Sequence, residues 1–550
     1  MSGTTFLYKE KLMYITKIKI LNYKSIVDAT IHLNKGMNIF VGENDAGKSS
    51  ILEALSAVLL GRINGGGIVQ NLKPSLFNSN TRNNYLESIK KYNSGEATEL
   101  QSPPTISVEV FFDDYPDFKG TNNSLGEDTA GVGLEITFDD AYCDLYKDLL
   151  EKKEIEEIPT EFYQVKLYSF KGEKLKNNYL PFKTVFIDTS KKDYSSVVDR
   201  LVLNSVSESL TNEEISKLSS EYKANRAKFM QSETINHINE SEGFKLYFDN
   251  KKLKIKMKDI NHDEWKKDLT LSINEDYFES LGLGTQNRIK VELLLREEAK
   301  TIDFILMEEP ENNLSYTNMM KLILKVLGST GKQFFISTHS SFVANKLLLN
   351  NILIVKNGSV DKLEEIPEDT LQYFQKLPGY DTLRVVLAEK LILVEGPTDE
   401  LIIQRAYMDK NKHLPIEDGI DVVSVHSLAF KRYLDIARIL KKKVIIVTDN
   451  DGNIEANIIE KYRDYQDDNF IYCYEKDESL NTIEPSVLNA NLGDLDSLRQ
   501  ALSKNNSMLK KSEDELKTFM LGHKGEWALR IFNAETKIKY PKYILEAINE

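Results

Sequence analysis

The run Gly42-Glu43-Asn44-Asp45-Ala46-Gly47-Lys48-Ser49 sets two glycines five positions apart, followed by a lysine and a hydroxyl. That spacing suits a nucleotide triphosphate. The glycines let the backbone curl so that its N–H groups face phosphate oxygens, and a following helix adds its positive end. Lys48 would reach the β and γ phosphates and Ser49 would hold Mg2+. Gly42, Asn44, Gly47, Lys48, Ser49 and Ser50 are the nucleotide-binding candidates. Hydrolysis also needs an acid for the metal and a group to orient water. Glu308-Glu309-Pro310-Glu311 supplies both, with Glu308 for the metal and Glu309 for the water. Ser337-Thr338-His339-Ser340 follows, and His339 is placed to contact a γ-phosphate.

A second set of acids lies downstream. Glu395 stands in Val394-Glu395-Gly396-Pro397-Thr398-Asp399-Glu400, and Asp449 and Asp451 in Thr448-Asp449-Asn450-Asp451-Gly452. Three or four carboxylates brought together without matching arginines repel one another unless a cation sits among them, and Mg2+ or Mn2+ is the natural occupant. Thr482-Ile483-Glu484 offers one more acid, and His523-Lys524-Gly525-Glu526-Trp527-Ala528 offers a lysine near a small-residue helix.

These residues need strands and helices to hold them. An apolar strand (Asn38 to Val41) enters the glycine loop, and a helical run (Ser50 to Leu60) leaves it. Ile302 to Met307 and Gln333 to Ile336 read as the strands that end at the acids and at His339. From Glu389 the pattern becomes strand Leu391 to Glu395, helix Thr398 to Lys410, strand Asp421 to Val425, helix Phe430 to Lys441 and strand Val444 to Thr448. Repeated βαβ units make a parallel sheet, and functional groups gather at the carboxyl ends of its strands. Neighbouring strands would thus unite Glu395 with Asp449, 54 residues later.

Val197 to Glu240 is helical in pattern and has no glycine or proline, so residues 191–241 are expected to form a helical insertion. Lys252, Lys254, Lys256 and Lys258 alternate with Leu253, Ile255 and Met257, the pattern of a strand with one basic and one apolar face. Such a strand is either a solvated edge or a DNA contact.

Leu281-Gly282-Leu283-Gly284-Thr285-Gln286, before a helical run (Asn287 to Glu297), resembles the signature loop of ABC ATPases. It departs from the usual serine-glycine-glycine-glutamine form. The resemblance implies that Gly284 and Gln286 close on the nucleotide of a second protomer, with ATP at a dimer interface. Because 236 residues separate Lys48 from Gly284, the ATPase is split by an insertion. The strand-Glu-Gly and strand-Asp-x-Asp pairing resembles the TOPRIM domain. The whole arrangement resembles the OLD (overcoming lysogenization defect) family, which includes the Gabija-type antiphage nucleases.

That resemblance implies an α/β chain: a split ABC/SMC-like P-loop ATPase with a helical dimerisation insertion, then a TOPRIM parallel sheet. The expected divisions are 1–190 for the first ATPase part, 191–241 for the insertion, 242–375 for the second ATPase part and 376–550 for the TOPRIM domain. It also implies ATP and Mg2+ (or Mn2+) as cofactors and DNA as substrate. Glu309, His339 and Lys524 become the catalytic candidates. Ser49, Glu308, Glu395, Asp399, Asp449, Asp451 and Glu484 become the metal ligands. Expected partners are further copies of the chain, as homodimer or homotetramer, and a second defence protein encoded nearby.

Composition sets the limits. A chain of 550 residues exceeds one ordinary core and suits three or four units. No apolar run reaches the length of a membrane span, and residues 1–20 lack a signal-peptide pattern, so the expectation is a cytoplasmic protein. Met13 is a candidate alternative start. Two distant cysteines, Cys143 and Cys473, exclude a disulfide framework and a Cys-rich zinc module. The net charge of −14 argues against a nucleic-acid-coated protein but leaves room for local basic grooves. A primase or topoisomerase would share the second acidic set, but no zinc module or tyrosine-bearing cleavage domain accompanies it. The remaining alternative is a non-cutting SMC- or RecF-like clamp ATPase.

Overall fold

The computed structural model describes residues 13–63, 66–176, 180–188, 210–241, 247–248, 251–252, 254–259, 264–269, 272–294, 302–363, 366–377, 381–425, 429–504 and 506–550. Three sheets organise them. The first is antiparallel, with order β2-β1-β4-β5-β6: β1 is Ile15–Tyr23, β2 Ile26–His32, β4 Ile106–Phe112, β5 Thr129–Phe138 and β6 Tyr163–Ser169. The second has order β7-β8-β9-β3-β10-β11. Here β3 is Met37–Val41, β7 Thr184–Asp188, β8 Phe304–Glu308, β9 Gln333–Ser337, β10 Ile352–Lys356 and β11 Ser359–Lys362. Its pairs are parallel except the last, β10 with β11.

Helix α1 (Lys48–Leu60) lies between these two sheets, and eleven of its residues, Lys48 and Ser50 to Leu59, are buried. It starts two residues earlier than the expected Ser50. Strands of the second sheet are buried on both faces, so alternate side chains serve different cores. Phe304 and Leu306 join the core around α1 and the first sheet, while Ile305 and Met307 point the other way.

The third sheet is wholly parallel, in order β13-β12-β14-β15: β12 is Lys390–Val394, β13 Ile420–Ser424, β14 Val444–Val447 and β15 Phe470–Cys473. The expected pairing of the strands before Glu395 and Asp449 is what forms. Leu391 and Leu393 share one core with Ile305 and Met307 of the second sheet, whereas Ile392 and Val394 face a separate core built around Trp527. Helices Glu368–Lys376 and Thr382–Leu387 fill the space between the two parallel sheets through Leu371, Phe374, Leu383, Val385 and Val386.

Within the expected insertion, α2 (Asn212–Met230) and α3 (Glu233–Glu240) are helical, each opened by a hydroxyl cap, Thr211 and Ser232. The first part of that expectation, 191–209, lies outside the described residues. The strand expected over Lys252 to Lys258 is corrected. Only Lys251–Lys252 pairs, with Tyr247–Phe248, and residues 254–259 are irregular. The backbone of Ile255 is satisfied by a side chain instead: its N–H donates to Asn239 Oδ1 (2.7 Å) and its carbonyl accepts from Asn239 Nδ2 (3.3 Å). A strand neighbour is therefore not needed there.

Candidate active sites

The glycine loop joins β3 to α1, and both its glycines are required. A Cβ on Gly42 would stand 2.4 Å from the carbonyl oxygen of Val355 on β10. Gly47 has φ 116°, open only to glycine. Lys48 is buried and its ammonium donates to the carbonyls of Gly42 (3.0 Å) and Glu43 (2.7 Å), closing the loop on itself. Burial lowers its pKa, opposed by Glu309, Asp45, Glu308 and Glu311. The acids expected from sequence are therefore in electrostatic reach of the loop lysine.

Asn44 and Ser49 are exposed. Ser50 is buried, and its hydroxyl lies 3.0 Å from that of Ser25, in the turn between β1 and β2. That turn had no signal in the sequence. Lys24, within it, pairs with the buried Glu53 of α1.

Strand order explains how the acids reach the loop. Because β9 lies between β3 and β8, Glu308 stands beside Ser337, and Ser337 beside Phe40. Two strand spacings, roughly 10 Å, separate the glycine-loop strand from the acidic strand. A bound triphosphate bridges such a gap. Glu309 adopts φ 45° and its carboxylate lies 3.1 Å from His339 Nε2. Asn312 Nδ2 holds the other oxygen at 2.6 Å. Glu311 joins the two loops, accepting from Thr338 Oγ1 (2.6 Å) and His339 N (3.1 Å).

The signature-like loop opens helix α4 (Leu283–Leu294), which begins before Gly284 rather than after Gln286. A Cβ on Gly284 would be 1.9 Å from the carbonyl of Asn313, so the loop after the acids packs directly on it. Gln286 is 1% exposed and donates to the Leu281 carbonyl at 2.7 Å, bracing its own loop.

The second centre forms at the carboxyl ends of β12 and β14. Glu395 follows β12 and accepts from Thr448 Oγ1 (2.6 Å) and Asp449 N (2.9 Å). Asp399 is buried in the first turn of α5 (Pro397–Asn411) and accepts from Gly396 N at 3.0 Å. Asp451 turns the chain at φ 46°. Glu484, buried on α6 (Ile483–Ala490), accepts from Thr482 Oγ1 at 2.8 Å. Burial, then Asp399, Glu395, Glu484 and Asp451, push the Asp449 carboxyl up to about 9. Burial, then Glu395, push Asp399 up to about 7, with Glu484 adding to the shift.

Five carboxylates from three segments thus come to one edge of the sheet, and with Asp399 and Glu484 buried among them they repel one another, the situation a divalent cation relieves. Hard oxygen donors of this kind suit Mg2+ or Mn2+. The donor set fits, but its arrangement is not yet that of a ligand shell. Among the described residues no three His, Cys, Asp or Glu side chains are grouped to hold an ion. Glu395, Asp399 and Glu484 are engaged with Thr448, Gly396 and Thr482 instead.

Two buried tyrosines border the acids and carried no sequence signal. Tyr462 is fully buried, and burial and then Glu395 raise its pKa. Tyr543 is buried, and burial and then Asp449 and Asp399 raise its pKa. Lys524 begins helix α7 (Lys524–Asn533), which Trp527 anchors in the core. It is exposed, and among the described residues it makes no ion pair with the acids.

Fold and sites together define a P-loop ATPase carrying a second, acidic centre in a parallel sheet. Residues 17–303, more than half of the chain, match the family described as "AAA domain", and the chain belongs to it. Residues 386–451 match the TOPRIM domain of overcoming lysogenization defect protein-like proteins, in keeping with the resemblance to the OLD family.

Similarity to curated relatives is local. The chain is 34% identical over 50 residues to the DNA replication and repair protein RecF of Clostridium tetani, 9% of this chain and 14% of that one. It is 45% identical over 49 residues to the DNA double-strand break repair Rad50 ATPase of Thermoplasma acidophilum, 9% of this chain and 6% of that one. Among solved structures, an Smc head bound to the C-winged helix domain of ScpA overlays at TM-score 0.34 with 17% identity, covering 64% of this chain and 97% of the other. RecF with ATP overlays at TM-score 0.33 with 15% identity, covering 64% and 99%. No described helix is long and apolar enough to cross a membrane.

Proposed function

We propose that this chain is an ATP-hydrolysing, divalent-metal-dependent DNA endonuclease that works as a homodimer or homotetramer. The observation that carries the reading is the placing of Glu395, Asp399, Asp449, Asp451 and Glu484 at the carboxyl edge of one parallel sheet, where burial and mutual repulsion raise the Asp449 and Asp399 carboxyls above the ordinary range. These residues would hold Mg2+ or Mn2+, and the metal would supply an activated water and charge for the departing oxygen. Asp449 and Asp399 would surrender their protons as the cation binds. Lys524 would add positive charge where the scissile phosphate becomes more negative.

In the ATPase, Lys48 and the amides around Gly42, Asn44, Gly47 and Ser50 would hold the phosphates. Ser49 and Glu308 would hold the nucleotide's metal. Glu309, steadied by His339 and Asn312, would orient the attacking water. Gly284 and Gln286 of a second copy would complete the site. The likeness to Gabija-type nucleases extends the proposal to antiphage defence, with a second protein as trigger. The test is plasmid cleavage in Mg2+ or Mn2+ by Glu395→Ala, Asp449→Ala and Asp451→Ala proteins. Each should lose cleavage while ATP hydrolysis persists. Parent-like cutting would leave the DNA-clamp reading in its place.

A further inference from the structure

Beside the acidic centre lies an open cleft of about 610 Å³ lined by Glu475, Ser486, Asn489, Lys539 and Lys542, among others. Strand register fixes its place. Because β14 and β15 are parallel neighbours with Val447 opposite Cys473, Glu475 lies two residues beyond the end of β15, just as Asp449 does beyond β14. Neighbouring strands are roughly 4.8 Å apart, so cleft and centre occupy the same edge of one sheet. Two contacts tie them together. Asn450, between Asp449 and Asp451, donates to the Glu475 carbonyl at 2.8 Å. Ser486 of the cleft wall lies on α6 two residues after Glu484 and donates to the Thr482 carbonyl at 2.8 Å.

The lining charge is basic where it is free to act. Glu475 directs its carboxylate at the N–H groups of Lys476 (2.9 Å) and Asp477 (3.3 Å) in its own loop. Lys542 is 86% exposed and reaches only Glu546, at 3.7 Å. Lys539 is exposed, and its backbone is clamped from both sides by the fully buried Asn491, which accepts from its N–H (2.9 Å) and donates to its carbonyl (2.8 Å).

We propose that this cleft receives the DNA backbone flanking the scissile phosphate, with Lys539 and Lys542 as its phosphate contacts. The proposal rests on the nuclease reading, and it names positioning residues that act on the substrate strand rather than on the reacting atoms. A chain of net charge −14 has few places where a polyanion can rest, and a basic cleft adjoining a cation-loaded centre is one.

The experiment measures binding of a short DNA duplex to the non-cutting Asp449→Asn protein, with and without Lys539→Ala and Lys542→Ala, across a salt series. Each phosphate contact contributes about 0.9 to the slope of log affinity against log salt, so the double variant should lose about 2 of slope and bind roughly fiftyfold more weakly near 0.1 M salt. In the cutting-competent parent the same pair should raise KM, keep kcat and leave ATP hydrolysis and Tm unchanged. Unchanged slope and affinity would overturn the cleft assignment. If the slope falls but the parent never cuts DNA, the nuclease reading fails and the cleft stands as a DNA site.

Discussion

Replacing Asp449 by Asn removes an ionisable group from the acidic centre and almost no volume, so its effect isolates the cost of charging that carboxyl. In the folded protein Asp449 titrates at about 9, against an ordinary 3.8. The folded state therefore binds this proton more tightly than the unfolded chain, and between those values stability must fall as pH rises. The stabilisation is complete below pH 4 and gone above about pH 9. A proton bound in one state only is worth about 1.4 kcal/mol per pH unit, so this one carboxyl costs about 3 kcal/mol between pH 5 and pH 7. Asp399, at about 7, adds a second slope that flattens near neutrality. The Asp449→Asn protein should lose its share of that slope and be the more stable protein at pH 8 without metal. The assay is urea unfolding in chelator from pH 5 to 8, followed by Trp527, which is fully buried in the C-terminal core. Trp265→Phe silences the chain's other tryptophan. Adding Mn2+ at pH 8 should stabilise the parent and do little for the variant. Identical pH slopes for the two proteins would refute the argument, because a carboxyl that is not crowded has nothing to lose by becoming an amide.

Lys48→Ala should slow ATP turnover roughly a hundredfold or more by removing the charge that meets the β and γ phosphates, with the fold intact by circular dichroism. Unchanged turnover would remove the phosphate assignment. Glu309→Gln should still bind ATP and hydrolyse it on the order of a hundredfold more slowly, since the amide keeps the shape but cannot polarise water. Normal turnover would move that role to Glu308 or another group. Light scattering should give a dimer or tetramer, because Gly284 and Gln286 are assigned to a neighbour's nucleotide. Monomer alone, with and without ATP, would contradict it.

The parallel sheets were the legible part of the sequence, for a physical reason. Strands buried on both faces read as unbroken apolar runs, so the runs before Glu395 and Asp449 located β12 and β14 to within a residue. The later strands of the antiparallel sheet over α1 were not legible. Thr129–Phe138 carries Gly131 and Gly133, which weaken any strand pattern. Those positions hold glycine because the rings of Phe170 and Tyr168 lie where their Cβ atoms would be, at 2.1 and 2.3 Å. Such a cause is visible only after folding. Tyr462 and Tyr543 were hidden for a similar reason: each sits far along the chain from the acid whose charge acts most on it, Glu395 and Asp449, with no spacing to betray it. The lysine alternation near residue 252 misled because period two states which faces exist, not whether a neighbouring strand exists to use them.

The same limit governs the junction between the two halves. The expected division at residue 376 falls between Phe374 and Leu383, which are both buried in the core that also contains Ile305 and Leu391. An apolar helix face reads alike whether it covers its own sheet or joins two, so periodicity has no means of separating a linker from a shared wall. The polar contacts make the distinction. Lys442, just before β14, donates to the carbonyls of Val386 (2.6 Å) and Ala388 (2.5 Å), and burial lowers its pKa to about 8. Thr382 bonds Asn345, at the end of the helix Ser341–Lys346 that follows His339. The described residues on either side of the junction are thus joined by packing and buried hydrogen bonds, and a rearrangement of either centre has to be accommodated by that shared wall.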